Sequence, residues 1–470
     1  MKKGVEKFPL WGQILYSSGY VGFTIADRIW VSFMLYFYLP PKPPEGIPVE
    51  SWMPELISNK TFWGFLTVGG LVMVFGRIID AFADPYIGYL SDKSESKIGR
   101  RKVFLLYGGL PLMVATVLLF FPPAGATQTV NALYMALMLG ILLFFFTVYA
   151  LPWLALIPEL SHTDKERVNL VTIQAVFALV GVIIVMVFGY MLWGHFEGMG
   201  YGKVAALRLM IIVLCVLGLA FLYLAVIPIN EKRYCDSVPT HVGLLTTLKE
   251  TFRNRAFVTY IIGILCFWFG LNIVSQASLY YVTVLLGKEV EFTGTIFAIL
   301  FGVAMVFFPV VNIACRFIKK KSVMVIGLAT FAVCNASLYF LGSKAFVIPV
   351  EYQPLVIFGI MGIPTSILLL LPNAMLGDIA EYDAAKAGAH REAMVFSAQG
   401  FLIKLNLGIS AMVLAYLFSE FGKDFAEPMG IKLSGPVAAM VCIIGIVSYL
   451  LYPEKNVMDV IEDYRAKRYK

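Results

Sequence analysis

The chain has 470 residues, of which 59% are hydrophobic and only 14% charged. Soluble domains carry about 25% charged residues, so this composition excludes a soluble domain, and its evenness along the chain excludes a soluble domain on one anchor. The formal net charge of +7 does not point to nucleic acid, because the basic residues sit in short loops between apolar runs.

Lys2, Lys3 and Lys7 precede a first apolar run that is too long for a cleaved signal and has no small-residue cleavage site. Twelve runs of about 20 or more apolar residues follow, each long enough to cross the hydrocarbon core. They are expected near 12–40, 62–87, 103–122, 130–158, 169–194, 207–229, 256–286, 292–317, 322–341, 353–377, 394–419 and 433–452. The predicted fold is therefore all-α: a membrane protein of twelve transmembrane helices. The loop at 230–255 separates an N-terminal six-helix bundle (1–229) from a C-terminal bundle and tail (256–470).

Lysine and arginine set the orientation. With the N-terminus inside, the inner segments hold 26 of them and the outer loops 8. That bias puts both termini in the cytoplasm. Loop 2–3 carries SDKSESKIGRRK and loop 8–9 carries RFIKKK, a weak echo between the halves. Duplicated bundles of this kind hold their substrate near the midplane.

In the first span Asp27 and Arg28 are neighbours, pointing about 100° apart on a helix. Each is expected to find its partner on another helix, or Asp27 to face a central cavity. In the second span Arg77, Asp80 and Asp84 are spaced i, i+3, i+7, which puts all three on one helical face. A charge at bilayer depth costs about 2.5–3.5 kcal/mol on insertion scales. The three either neutralise one another or bind a cation, and one arginine cannot neutralise two carboxylates. Thr147 in span four offers a hydroxyl one turn before Pro152, whose ring frees a backbone carbonyl.

Lys404 lies about ten residues into span eleven, between Gln399 and Asn406, too deep to snorkel. Its candidate partners are Asp80, Asp84 or a substrate oxygen. Two charged clusters, from Glu159 and His162 to Arg167 and from Asp378 to His390 and Arg391, sit at inner helix ends. Their simplest reading is solvated loop charge; the other is a set of gating ion pairs. The six cysteines and four histidines are scattered, so neither a disulfide framework nor a metal site is expected. No phosphate-cradling loop or nucleophile elbow is present, so no enzyme activity and no cofactor are expected.

Three stretches carry a resemblance: RIIDAFADPYIGYLSDKSESKIGRRK, LPWLALIPELSHTDKERVNL and GDIAEYDAAKAGAHREAMVFSAQGFLIKLN. They resemble the signature stretches of the glycoside–pentoside–hexuronide:cation symporters, the melibiose-permease-like family of the major facilitator superfamily. The resemblance covers nearly the whole chain. It implies two six-helix halves with alternating access in the plasma (inner) membrane, a monomer, and cotransport of H⁺ or Na⁺ with a sugar, glycoside or related small solute. The expected partners are thus a small molecule, a monovalent cation and the lipid bilayer.

Residue by residue, the resemblance makes Asp80 and Asp84 the cation carboxylates, which would also hold any Na⁺, with Thr147 as a nearby hydroxyl. It makes Arg77 and Lys404 their charge partners and puts Gln399 at a pocket-lining position. The family pattern has an asparagine where this chain has Ala83, which favours a proton over Na⁺. It has an aspartate at Ala150 and an arginine at Gln174. Its helix-one aspartate falls near Thr24, with Asp27 one turn along, and its stacking aromatic falls near Leu154, beside Trp153. The cation half of the site is kept and the sugar half rewritten. Loss of the charged sugar ligands also fits an amphipathic cargo, which leaves a cation-dependent lysophospholipid carrier as the alternative.

Overall fold

The computed structural model describes residues 6–44, 52–62, 66–161, 164–235, 252–344, 346–387 and 392–468. His162, His390 and Arg391 lie outside the described residues, as does most of the expected loop at 230–255. The described residues are helical almost throughout. In its first part run α1 (Leu10–Tyr38), α2 (Val68–Lys93), α3 (Lys102–Leu118), α4 (Gln128–Leu160), α5 (Asp164–Ile183), α6 (Tyr190–Gly198), α7 (Lys203–Val226) and the short α8 (Glu231–Tyr234). In the later part run α9 (Arg255–Tyr280), α10 (Glu291–Phe317), α11 (Lys320–Ser337), α12 (Gln353–Ala387), α13 (Glu392–Phe421), α14 (Met429–Leu450) and α15 (Glu454–Arg468). A π-helical segment, Ile184–Gly189, joins α5 to α6, and a second, Tyr281–Leu285, extends α9.

Among the described residues, nine helices are long and apolar enough to cross a membrane. The 17-residue α3 is shorter than that. Helices α1 and α2, of 29 and 26 residues, are long enough. They are also the two that hold Asp27, Arg28, Arg77, Asp80 and Asp84, and buried charge lowers the hydropathy of a span.

The second span starts later than its composition suggests. Residues Thr61–Phe62 and Leu66–Thr67 pair as a two-residue antiparallel hairpin, and α2 begins only at Val68. The Thr67 hydroxyl sets that start by accepting the Gly70 N–H at 3.0 Å, one of the orphan donors of a helix N-terminus. Apolarity alone cannot mark such a boundary, since hairpin and helix are equally hydrophobic here.

The chain divides into two compact units. The first comprises Met1–Thr240 with Val282–Thr295 and Asp424–Ala426; the second comprises the remainder. Within the first, α1 packs on α5 and α7, α2 on α4, and α3 on α4 and α7. Water drives none of this inside a bilayer, so small residues that let backbones approach do the work. A Cβ on Gly22 of α1 would sit 2.4 Å from the Gly218 carbonyl oxygen of α7. One on Gly181 of α5 would meet the Thr24 Cβ at 2.8 Å. In the second unit α9 packs on α14 and α13, and α11 on α14 and α12. A Cβ on Gly263 would collide with the Tyr449 ring at 2.4 Å.

One end of the first unit is tied by charge. Glu231 in α8 accepts the backbone N–H groups of Arg100, Arg101 and Lys102 at 2.8, 2.9 and 2.6 Å, capping α3. The Lys102 ammonium donates to the Ile229 carbonyl at 2.7 Å. Glu159, at the end of α4, is 9% exposed and meets Arg100 at 2.6 Å and Arg101 at 3.0 Å. This corrects the reading of Glu159 as a solvated loop charge: two arginines from the α2–α3 turn reach it and compensate its burial. Asp378 is likewise paired, with Lys320 at 2.6 Å.

Candidate functional site

Two glycines set the α2–α4 contact on which the site is built. A Cβ on Gly76 would lie 2.9 Å from Leu143 Cδ1, and one on Gly140 would lie 2.5 Å from Ile79 Cδ1. The opposite face of α2 carries exposed Phe75, Ile78, Phe82, Tyr86 and Tyr89, spaced at helical intervals as a lipid-facing stripe. The polar stripe therefore turns toward α4.

There Thr147, fully buried, meets both acids. Its Oγ1 is 3.0 Å from Asp80 Oδ1 and 3.1 Å from Asp84 Oδ1. Arg77 Nη1 donates to Asp80 Oδ2 at 3.0 Å. Four residues from two helices thus form one cluster. A hydroxyl has one hydrogen and can donate to only one of two carboxylates. The second contact is attractive only if that carboxyl carries a proton and donates in turn, or if a cation sits among the three oxygens. The chemistry on offer is reversible uptake of a proton or a small cation.

The other expected residues are distributed over both units. Trp153 is fully buried against α1, its ring 5.3 Å from Tyr16, 5.2 Å from Tyr20 and 6.4 Å from Phe23. Its neighbour Leu154 is 45% exposed, so it is Trp153 that meets these rings. Gln174 of α5 is 3% exposed, and its Nε2 has no hydrogen-bond partner among the described residues. Thr24 packs against Gly181 in the α1–α5 contact, and nothing brings it to the acid cluster. Gln399 and Lys404 belong to the second unit. Gln399 Oε1 accepts the Tyr260 hydroxyl at 2.7 Å, and Lys404 is half-buried.

Asp27 and Arg28 differ from expectation. They pair with each other: Arg28 Nε donates to Asp27 Oδ2 at 2.9 Å, and Nη2 makes a second contact. The 100° between their Cβ directions does not prevent this, because the long arginine chain swings back round the helix to its neighbour.

Sequence reasoning missed an aromatic wall. Phe23 packs on Phe146 with centroids 4.2 Å apart, and Tyr20 on Phe23 at 5.5 Å. Trp30 lies beneath the Arg77 guanidinium, 5.2 Å from ring centroid to Cζ. The signal was available: Tyr16, Tyr20, Phe23, Asp27 and Trp30 are spaced 4, 3, 4, 3 along α1, which is one helical face.

Known proteins agree in class. Solved structures of low sequence identity share the fold. That of a D-xylose–proton symporter has a TM-score of 0.60 at 14% identity, over 92% of this chain and 96% of that one. One from a study of proton-dependent oligopeptide transporters has a TM-score of 0.65 at 13% identity, over 97% and 100%. This is a multi-pass integral membrane protein of the major facilitator fold. The chain belongs to the family described as MFS/sugar transport protein, which matches residues 65–452. Among individual relatives, it is 24% identical to the isoprimeverose transporter of Lactiplantibacillus pentosus, over 75% of this chain and 72% of that protein. It is 24% identical to the glucuronide carrier protein homolog of Escherichia coli, over 75% of each. An uncharacterized symporter of Synechocystis sp. is 23% identical over 95% of each chain.

Proposed function

We propose that this protein is a cation-coupled secondary symporter that imports a sugar, glycoside or related small solute by alternating access. It is a transporter and performs no catalysis. The observation that carries the reading is the Thr147 hydroxyl shared by the Asp80 and Asp84 carboxylates, with Arg77 on the far side of Asp80. Asp80 is buried and Asp84 half-buried beside it, and ionisable groups at bilayer depth are functional by default. Two neighbouring carboxylates offer a place for one proton or one monovalent cation. The relatives named as a symporter and as sugar-derivative carriers support the same reading.

In detail the proposal follows the glycoside–pentoside–hexuronide:cation symporters. Twelve spans form two halves, 1–229 and 256–470, joined by a cytoplasmic loop at 230–255, with both termini in the cytoplasm. The working unit is a monomer in the plasma (inner) membrane. Asp80, Asp84 and Thr147 take the cation. Lys404 is the charge partner from the later spans. Asp27, Thr24, Trp153, Gln174, Gln399 and the aromatic wall of α1 receive the substrate. Ala83 removes one oxygen ligand that the family pattern supplies as asparagine, and Na⁺ prefers a shell of several oxygens, so the proton is the favoured coupling ion.

The test is charge movement in proteoliposomes on a supported membrane. A panel of mono- and disaccharides, pentosides, uronides and lysolipids is applied with and without Na⁺, from pH 5.5 to 8. A substrate-dependent current with a sugar, larger under a proton gradient than a sodium gradient, is the expected result. Silence with every sugar and a response to lysolipid would overturn the sugar reading and leave the fold a lipid carrier.

A further inference from the structure

The end of the first unit away from Glu159 holds a cavity that the cation cluster does not use. Its volume is about 430 Å³, the size of a small-molecule site. Phe37 of α1, Glu55 and Leu56, Phe121 after α3, Asn131 of α4 and Arg208 of α7 contribute to its wall. All belong to the first unit.

Two of these side chains have hydrogen-bonding capacity left over. Asn131 is 4% exposed. Its Nδ2 donates to the Leu56 carbonyl at 3.0 Å, and that bond fixes which end of the amide is which. Its Oδ1 is then an acceptor with no hydrogen-bond partner among the described residues. Arg208 spends only its Nε, which donates to the Phe120 carbonyl at 2.8 Å. The guanidinium carbon lies 4.5 Å from the Phe121 ring centroid and 6.0 Å from that of Phe37. Glu55, exposed at its backbone turn, adds a carboxylate to the same wall.

The wall therefore carries both signs. A plain anion meets the Arg208 fork but is opposed by Glu55 and brings Asn131 no donor. A quaternary ammonium has charge but no N–H. A phosphoester bearing a protonated amine meets all three: oxygens for the guanidinium, N–H groups for Asn131 Oδ1, and positive charge beside Glu55. Depth indicates the source. Arg208 lies five residues beyond Lys203, the first of α7, which is about 7.5 Å along the helix. A headgroup layer is about 5–8 Å deep on each side of a bilayer. On α4, Val130, Leu133 and Leu137 are 45%, 67% and 57% exposed. That stripe at i, i+3 and i+7 starts beside Asn131 and offers acyl chains an apolar face.

We propose that Arg208, Asn131 and Glu55 form a headgroup site for an aminophospholipid of the phosphatidylethanolamine type, in the outer leaflet for the orientation proposed above. The phosphate accepts from the terminal nitrogens of Arg208, and the ammonium donates to Asn131 Oδ1 next to Glu55. The site is separate from the cation cluster of α2 and α4, and it selects ethanolamine over choline because only the former carries N–H.

The experiment titrates the purified full-length protein in detergent micelles with lipid, and reads binding by native mass spectrometry and by melting temperature. The probes are phosphatidylethanolamine, its N-methyl and N,N-dimethyl derivatives, phosphatidylcholine and phosphatidylglycerol. Affinity should change little down to the dimethyl lipid, which keeps one N–H. It should then fall about tenfold at phosphatidylcholine, the worth of one hydrogen bond to a charged group. Phosphatidylglycerol should bind as weakly. Equal affinity for phosphatidylethanolamine and phosphatidylcholine, a steady decline with each methyl, or a preference for phosphatidylglycerol overturns the proposal. Arg208→Gln should lower the affinity for phosphatidylethanolamine about tenfold, and wild-type affinity in that variant overturns the site. Should the variant not fold, the headgroup series on wild type decides alone. Soluble phosphoethanolamine should stabilise far less than the lipid; stabilisation that matches the lipid's assigns the cavity to a free phosphoester and overturns the lipid. Binding is read without transport, so the symporter reading stands or falls on its own test.

Discussion

Thr147 carries a single hydrogen between two carboxylates, and the residue-scale predictions follow from that. Asp80→Asn and Asp84→Asn keep the shape of the pair and remove the charge. Each should abolish cation-dependent accumulation while leaving expression and melting temperature near wild type; undiminished uphill uptake in both would refute the assignment. Thr147→Val deletes the hydroxyl and should weaken the apparent cation affinity about tenfold, whereas Thr147→Ser should largely restore it. Titrating uptake against pH and against Na⁺ separates the two. Spacing alone put Arg77, Asp80 and Asp84 on one face, and a charged face in a span is conspicuous in any sequence. Spacing alone does not indicate which hydroxyl of α4 meets them, because the helix presents a nearly unbroken apolar surface; the family resemblance is what pointed to Thr147. That partner depends on how α2 and α4 are rotated against each other.

At the scale of elements, the helices are held by close approach and by caps. Gly99 has φ +129°, and a Cβ there would lie 2.6 Å from Glu231 Oε1. Only glycine takes that conformation without strain, and the added methyl would push away the carboxylate that caps α3. Gly99→Ala should cost about 1–3 kcal/mol, read as a lower melting temperature of the purified protein. Glu231→Gln tests the same cap without the backbone strain: it keeps an acceptor and loses the charge, so its loss should be smaller. Gly22→Val should be worse than either, since the Gly218 carbonyl at 2.4 Å is backbone and cannot rotate aside. Helix lengths were largely legible from apolar runs. The capping by Glu231 was not, because it joins positions some 130 residues apart in sequence.

At the scale of the whole molecule, the prediction concerns energy conversion. Moving one positive charge inward with each substrate gains about 2.3 kcal/mol per 100 mV of inside-negative potential, roughly a fiftyfold accumulation. Proteoliposomes loaded with potassium and given valinomycin should concentrate a neutral substrate toward that limit. An acidic substrate entering with a single cation moves no net charge and should be indifferent to the potential. Comparing D-glucose with D-glucuronate under the same imposed potential thus reads both stoichiometry and cargo charge.

By itself, the sequence determined what depends on composition and local spacing. Those are residence in a membrane, an all-helical fold, the gathering of basic residues in loops between apolar runs, and the charged face of α2. Each is a property of contiguous residues, for the bilayer tests every span on its own apolarity and every backbone group on its own hydrogen bonds. Only the tertiary structure decided which faces meet. It put Thr147 between the acids, folded Arg28 back onto Asp27, buried Glu159 between two arginines and laid Arg77 over Trp30. Such pairings follow from helix rotation and from the small residues that let backbones touch. Inside a bilayer one apolar face is chemically as good as another, so packing alone distinguishes them.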